Sequence, residues 1–350
     1  MTTFDPTSDD PSEVSIYDVA KAAGVSVSTV SRVLNDKPDV AKKTRARVQR
    51  VINELGYIPY VQTIQQNTSR TNTIALLYPL QTQSRLEMTD IELDFMLGVS
   101  TAAGEANYAL NLMTRDIDET ELLELYRSGQ VRGVILMETS LDDWRVRLLR
   151  QNGYPFVMIG RCANNDGLSF IDIDLEAAVV EAFDHLIGLG HREIGFMAFP
   201  KGVYQREQTS AELMLSGYQR AIQKYDLPTY MRHVDFGTQF AYEATCDLLR
   251  EAPGLTAMVM AYGATVAGLT RALQEHGKSV PDNFSVVGVA SGKIASLTHP
   301  ALSSSDFPFQ SVGYQAANML IDNLSRSRPG VQQILVPPQL TLRETTGPIP

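Results

Sequence analysis

The chain has 350 residues, 44% of them hydrophobic and 20% charged, with a formal net charge of −10. That length and apolar content support a large core divided among two or three compact units. Two widely separated cysteines, Cys162 and Cys246, exclude a disulfide framework and fit a reducing cytoplasm, and the lack of any apolar run of about eighteen residues excludes a membrane-spanning helix.

Residues 1–13 are polar and acidic, unlike a signal peptide, and read as a disordered tail. The next stretch, 14–59, reads as an all-α helix-turn-helix head. Ser15 and Asp18 stand three apart ahead of an apolar run, a capping-box-like start for a first helix, which Gly24 stops. Ser26 can cap a second helix beginning at Val27, and the small Ala20 and Ala23 let the two helices approach around a short turn. Val19, Ala20, Ala23, Val25, Val30 and Val33 are expected inside. Outward on the second helix stand Val27, Ser28, Thr29, Ser31 and Arg32, a small set with one guanidinium, suited to base edges and phosphates in a major groove. A third helix is expected from about Ala41 to Leu55, closed by Gly56 with Pro59 beyond, and it carries Lys42, Lys43, Arg45, Arg47 and Arg50. Eight basic residues against four acidic ones make this head positive, whereas residues 60–350 hold twenty-two basic against thirty-two acidic. Nucleic acid is therefore expected to dock on the head alone.

Residues 60–72 read as a hinge and 73–350 as an α/β body of two lobes. Short apolar runs at 73–78, 108–113, 133–137, 156–159, 193–198, 233–236, 257–260 and 284–289 are expected strands, with helices between them, the first near 91–107. This alternation implies two parallel sheets with helices on both faces, and a ligand cleft at the carboxyl ends of the strands.

Five stretches together resemble the lactose-repressor-like (LacI/GalR) transcription regulators, and the resemblance spans nearly the whole chain. They are Ile16-Tyr17-Asp18-Val19-Ala20, Thr29-Val30-Ser31-Arg32-Val33-Leu34-Asn35, Thr44-Arg45, Glu54-Leu55-Gly56-Tyr57-Ile58-Pro59 and Gly188-Leu189-Gly190-His191-Arg192-Glu193-Ile194. The resemblance implies a homodimer on a pseudo-palindromic double-stranded operator, with a small-molecule effector between two periplasmic-binding-protein-like lobes and no cofactor. It implies that Tyr17 contacts a phosphate, that Val27 and Ser28 choose bases, and that Thr29, Ser31, Arg32 and Asn35 fix the helix in the groove, with Arg32 at a guanine.

The family usually follows Ile-Pro with Asn, then Ala, then a Leu that wedges into the minor groove. Here Tyr60 follows Pro59, while Thr63 and Gln66 stand at the Ala and Leu places, which leaves Tyr60 and Ile64 as the minor-groove pair and Ile64 as the apolar wedge. The other reading of residues 60–70 is a plain polar linker.

Sugar-gripping positions of the family also differ: Gly288-Val289-Ala290-Ser291 and Ala261-Tyr262-Gly263 replace its carboxylates and amides, and Met214 replaces an Arg ahead of Gly217-Tyr218. The implied effector set is Tyr78, Arg161, Met214, Phe236, Tyr262 and Ala290. Such a lining favours an aromatic or less hydroxylated ligand, with Arg161 available to a carboxylate or phosphate.

Enzymatic signatures fail on inspection. Gly288-Val289-Ala290-Ser291-Gly292 places its serine one position too late for a nucleophile elbow, and Leu269 follows Gly268 where a phosphate loop needs Lys. The histidines at 185, 191, 233, 276 and 299 show no metal spacing, and His185 and His191 read as structural. A transcriptional repressor controlled by a small molecule is the leading reading. The alternatives are the same regulator with an effector-independent cleft, and a solute-binding receptor sharing the body fold, which the basic head opposes.

Overall fold

The computed structural model describes residues 16–34, 40–55, 71–79, 90–325 and 330–349. The head contains α1 (Ile16–Ala23), α2 (Val27–Leu34) and α3 (Lys42–Leu55). Gly24 closes α1 at φ +62°, where the N–H groups of Val25 and Gly24 donate to Ala20 O and Lys21 O, the paired bonds of a helix end that needs a left-handed residue. Ser26 Oγ accepts from Thr29 N–H at 3.2 Å and opens α2. Val19, Ala20, Ala23, Val30 and Val33 are buried as expected and pack with Val48, Val51 and Ile52 of α3, while Val25 is half-buried against them. Val27, expected outward, is also half-buried on this core, since an apolar group in the first turn gains more by covering a small core than by standing in water. Ser15, Asn35 and residues 60–70 of the expected hinge, with Tyr60 and Ile64, lie outside the described residues.

The body begins with β1 (Thr73–Leu77), α4 (Asp90–Glu105), β2 (Ala109–Met113), α5 (Glu119–Arg127), β3 (Gly133–Leu136), α6 (Trp144–Asn152), β4 (Phe156–Ile159) and β5 (Phe170–Ile173). It continues through α7 (Leu175–Gly188), β6 (Ile194–Ala198), α8 (Lys201–Gln205), α9 (Thr209–Tyr225), β7 (Tyr230–His233), α10 (Thr238–Glu251), β8 (Ala257–Met260), α11 (Val266–Glu275), β9 (Ser285–Val289), α12 (Gly292–Leu297) and β10 (Ser303–Asp306). It ends with α13 (Phe309–Ser325), β11 (Gln333–Val336) and β12 (Gln339–Thr341).

Two six-stranded sheets result, ordered β11-β5-β4-β3-β1-β2 in the first lobe and β12-β10-β9-β8-β6-β7 in the second. β1, β3, β6, β8 and β9 are apolar or small and buried almost throughout, as strands covered on both faces must be. The chain passes between lobes three times, after β5, β10 and β11, each time from a carboxyl strand end. The carboxyl ends of both sheets therefore flank the cleft.

The expected parallel sheets are present, and every strand pairing but one is parallel: β12 needs a correction, as it runs antiparallel to β10. It enters the second sheet directly from the cleft side, so it starts where its neighbours finish. A second correction moves the strand expected at 233–236 to Tyr230–His233, where its pairing with Gly195–Ala198 of β6 sets the register and leaves Phe236 beyond the strand end.

In the first lobe α4 and α13 touch backbone to backbone. A Cβ at Gly98 would overlap Gln310 O and one at Gly313 would overlap Phe95 O, so both glycines are there for close approach.

Candidate nucleic-acid interface and ligand cleft

On the head, Tyr17 in the first turn of α1 is 71% exposed. Ser28 and Arg32, four apart and so on one side of α2, are also exposed, whereas Thr29 and Ser31 are half-buried. Ser28 Oγ and Thr29 Oγ1 each lie 2.8 Å from Ser26 Oγ, which ties two of the hydroxyls expected at DNA to the helix start. Lys21, Lys42, Lys43, Arg47 and Arg50 stand in solvent, and Arg45 is half-buried. Arg50 pairs with Glu54 at 3.6 Å, an exposed contact of little energetic weight.

In the body, Phe236 and Tyr262 come together as expected, their rings edge to face at 5.3 Å. Phe199, which sequence reasoning missed, completes the group at 6.2 Å from Phe236 and 6.4 Å from Tyr262. The three rings follow β6, β7 and β8 and form one wall at the carboxyl edge of the second sheet, while Ala290, after β9, is buried in the core behind it. The signal available in sequence was position: Phe199 is the first residue after its strand.

Arg161 follows β4 in the first lobe and pairs with Asp172 of β5 at 3.4 Å. Burial pushes the Asp172 carboxyl up to about 6, with the Arg161 charge pulling the other way, and its Oδ2 has no hydrogen-bond partner. Tyr78, just past β1, and Met214, in α9, are enclosed by the hydrophobic core, so they back the walls without presenting a face. A separate cavity of about 300 Å³ lies at the carboxyl ends of β1, β2 and β3, lined by Leu77, Arg115, Asp116, Glu138, Ser140 and Trp144 among others. None of the expected effector residues lines it.

Ser291 is a helix cap, its Oγ accepting from Ile294 N–H at 3.3 Å. His191 is buried, with Nδ1 2.9 Å from Thr256 Oγ1 and Nε2 3.0 Å from both Ser285 Oγ and Gly347 O, and burial lowers its pKa. His185 meets Thr346 Oγ1 at 3.1 Å, and both histidines thus hold the final segment of the chain. Among the described residues no group of three or more His, Cys, Asp or Glu converges as a metal site, and no helix is long and apolar enough to cross a membrane.

Comparison with known proteins agrees with this geometry. The profile of bacterial regulatory proteins, lacI family, matches residues 15–60, and that of the periplasmic binding protein-like domain matches residues 183–346. The chain is 31% identical over 335 residues to the HTH-type transcriptional regulator CelR of Thermobifida fusca, covering 93% of this chain and 96% of that one. It is 26% identical to catabolite control protein A of Priestia megaterium, over 95% of this chain and 99% of that protein. Among solved structures, a CelR–cellobiose complex superposes with TM-score 0.69 at 29% identity, covering 95% of this chain and 100% of that one. The lac repressor dimer bound to operator and the anti-inducer ONPF gives 0.67 at 25% identity, covering 96% and 99%.

Proposed function

Because the chain belongs to the LacI family of bacterial regulatory proteins, and is thus a DNA-binding transcriptional regulator, we propose that it represses transcription as a homodimer on a pseudo-palindromic operator in the cytoplasm. The observation that carries this reading is the pairing of exposed Ser28 and Arg32 on α2 with a head on which Lys21, Lys42, Lys43, Arg47 and Arg50 are exposed. α2 enters the major groove, Ser28 and Arg32 meet base edges, Tyr17 meets a phosphate, and Val27, Thr29, Ser31 and Asn35 seat the helix. Residues 14–59 form the reading head, 60–72 the hinge with Tyr60 and Ile64 at the minor groove, and 73–350 the body. Selection from a random DNA pool tests this: an enriched two-fold sequence is expected, and no preference over bulk competitor at low ionic strength contradicts it.

Leu93 and Leu97 on α4 and Leu112 on β2 are 52%, 53% and 44% exposed, an apolar face suited to the partner subunit. Leu93→Asp with Leu97→Asp is expected to yield monomers in sedimentation and to weaken operator binding. The body acts as receptor, with no catalytic role.

The effector sits in the cleft, against Phe199, Phe236 and Tyr262 on one side, with Ala290 behind them, and Arg161 on the other. Such a wall suits a ligand with an apolar face, an aromatic acid or the face of a sugar ring, and the CelR complex makes cellobiose the first ligand to test. Thermal shift is expected with one of these, and its loss in Tyr262→Ala places the ligand at the wall. A second reading, a regulator with an effector-independent cleft, is favoured by the enclosure of Tyr78 and Met214 in the core, and predicts no shift with any of them.

A further inference from the structure

The loop after β3 and the loop before α9 belong to opposite lobes, yet they meet in an isolated bridge. Ser140 and Gln208 face each other in an antiparallel bridge. Thr209 N–H donates to Thr139 O and Leu141 N–H donates to Glu207 O, both at 2.9 Å, and Ser140 Oγ donates to Arg206 O at 3.0 Å. Thr139, Gln208 and Thr209 are buried, so the contact is a packed clasp between the lobes.

Its first-lobe half is held rigid from behind. Arg145 Nη2 donates to Met137 O at 3.1 Å, to Glu138 O at 3.0 Å and to Asp143 Oδ2 at 2.6 Å. Asp143 in turn accepts from Ser140 N–H at 3.3 Å. Burial works against the charge on Asp143, but its bonds to Arg145 hold the carboxyl below the usual range, so the pair stays ionised. Thr139 Oγ1 donates to Arg161 O at 3.1 Å, which ties the clasp to the loop bearing the Arg161–Asp172 pair.

Each half also carries strain. Glu138 has φ +52° and Glu207 has φ +51°, left-handed conformers that a non-glycine residue disfavours by about tenfold each. Three hydrogen bonds of modest net worth and the burial of Thr139, Gln208 and Thr209 hold the contact, while the two strained residues oppose it. Glu138 and Ser140 also line the 300 Å³ cavity, so a ligand entering there would touch the clasp itself.

We infer that this clasp is a two-state latch that sets the closure of the lobes and, through it, operator affinity. The inference rests on the proposed function, a repressor whose effector binds between the lobes. Ser140 and Gln208 form a non-hydrogen-bonded pair, whose Cα atoms sit about 4.5 Å apart, within disulfide range. The native Cys162 and Cys246 are buried and leave the double variant S140C/Q208C free to cross-link.

Mild oxidation is expected to close that disulfide, and the operator dissociation constant of the oxidised protein is expected to differ at least about fivefold from that of the reduced protein. E138G/E207G, which removes the strain and keeps the backbone hydrogen bonds of the clasp, is expected to move affinity in the same direction. Failure to cross-link, affinities equal within about twofold, or opposite directions for the two variants overturns the latch. Should the double-cysteine chain not fold, E138G/E207G decides by itself: an unchanged affinity overturns the latch. The unaltered protein is measured on the same operator. If it binds no DNA, the repressor reading fails with the latch; if it binds and the variants change nothing, the latch alone fails.

Discussion

Head and body treat charge in opposite ways. Every buried residue of the head, among those described, is apolar, and of its described cations all but the half-buried Arg45 are exposed. The body takes charge inside: Arg145 with Asp143, Arg161 with Asp172, and Arg343 with Asp306. Charges on the head thus stand at a surface that an external polyanion can reach, while those inside the body are enclosed with one another and with the backbone they hold in place. Substitutions in the head should therefore change affinity without changing stability, and substitutions of the body's inner charges should do the reverse.

The strongest way to break this contrast is salt. With about six phosphates neutralised per dimer, operator affinity should fall about a thousandfold between about 50 and 200 mM salt, with little change in the body's thermal midpoint. A flat salt profile in a binding titration would contradict the division. Next in size, Asp143→Asn leaves Arg145 buried without its counter-charge and should cost about 3–5 kcal/mol in denaturant unfolding. A loss near zero would mean that water reaches the pair. Arg32→Ala should cost about 1–3 kcal/mol of operator affinity and relax preference at one base pair, at unchanged stability. Equal losses on every operator variant would move Arg32 from a base to a phosphate.

The smallest effect is expected with pH. Burial lowers the pKa of both His185 and His191 from the usual 6.5, so below that value the unfolded chain binds more protons than the folded one. Their contribution is complete above pH 6.5 and is lost as pH falls through the lowered values. Asp172 acts with the opposite sign, its contribution being present below 3.8 and lost as pH rises through about 6. Thermal midpoints from pH 8 down to 5 should therefore decline less in His191→Gln than in the unaltered protein. Arg32→Ala should leave the profile as it is.

The head was legible because its signals are local. Gly24 and Ser26 each act within four residues, and the five inward positions that proved buried repeat at helical spacing. Most strands of the body were legible as apolar runs, but β10 was not. Its sequence Ser303-Ser304-Ser305-Asp306 carries no apolar pattern, yet the three serines are buried, with hydroxyls engaged by Arg343, Asp306, Thr346 and Ala178 O. β5 was obscured by Asp172 within Phe170–Ile173, and β11 and β12 are half-exposed edge strands. At the cleft, Phe236 and Tyr262 were found in sequence, and Phe199 and the cavity at β1, β2 and β3 were not.

By itself the sequence determined the helical head, its positive charge, the acidic two-sheet body and most strands, since caps, hydrophobic period and net charge are set by residues close in the chain. Only the tertiary structure decided which distant groups meet: the three rings at the cleft wall, the ion pair of Arg161 with Asp172, and the clasp of residues 139–141 on 206–209. Those contacts join segments that sheet order and three lobe crossings bring together, and neither is written in the spacing of nearby residues.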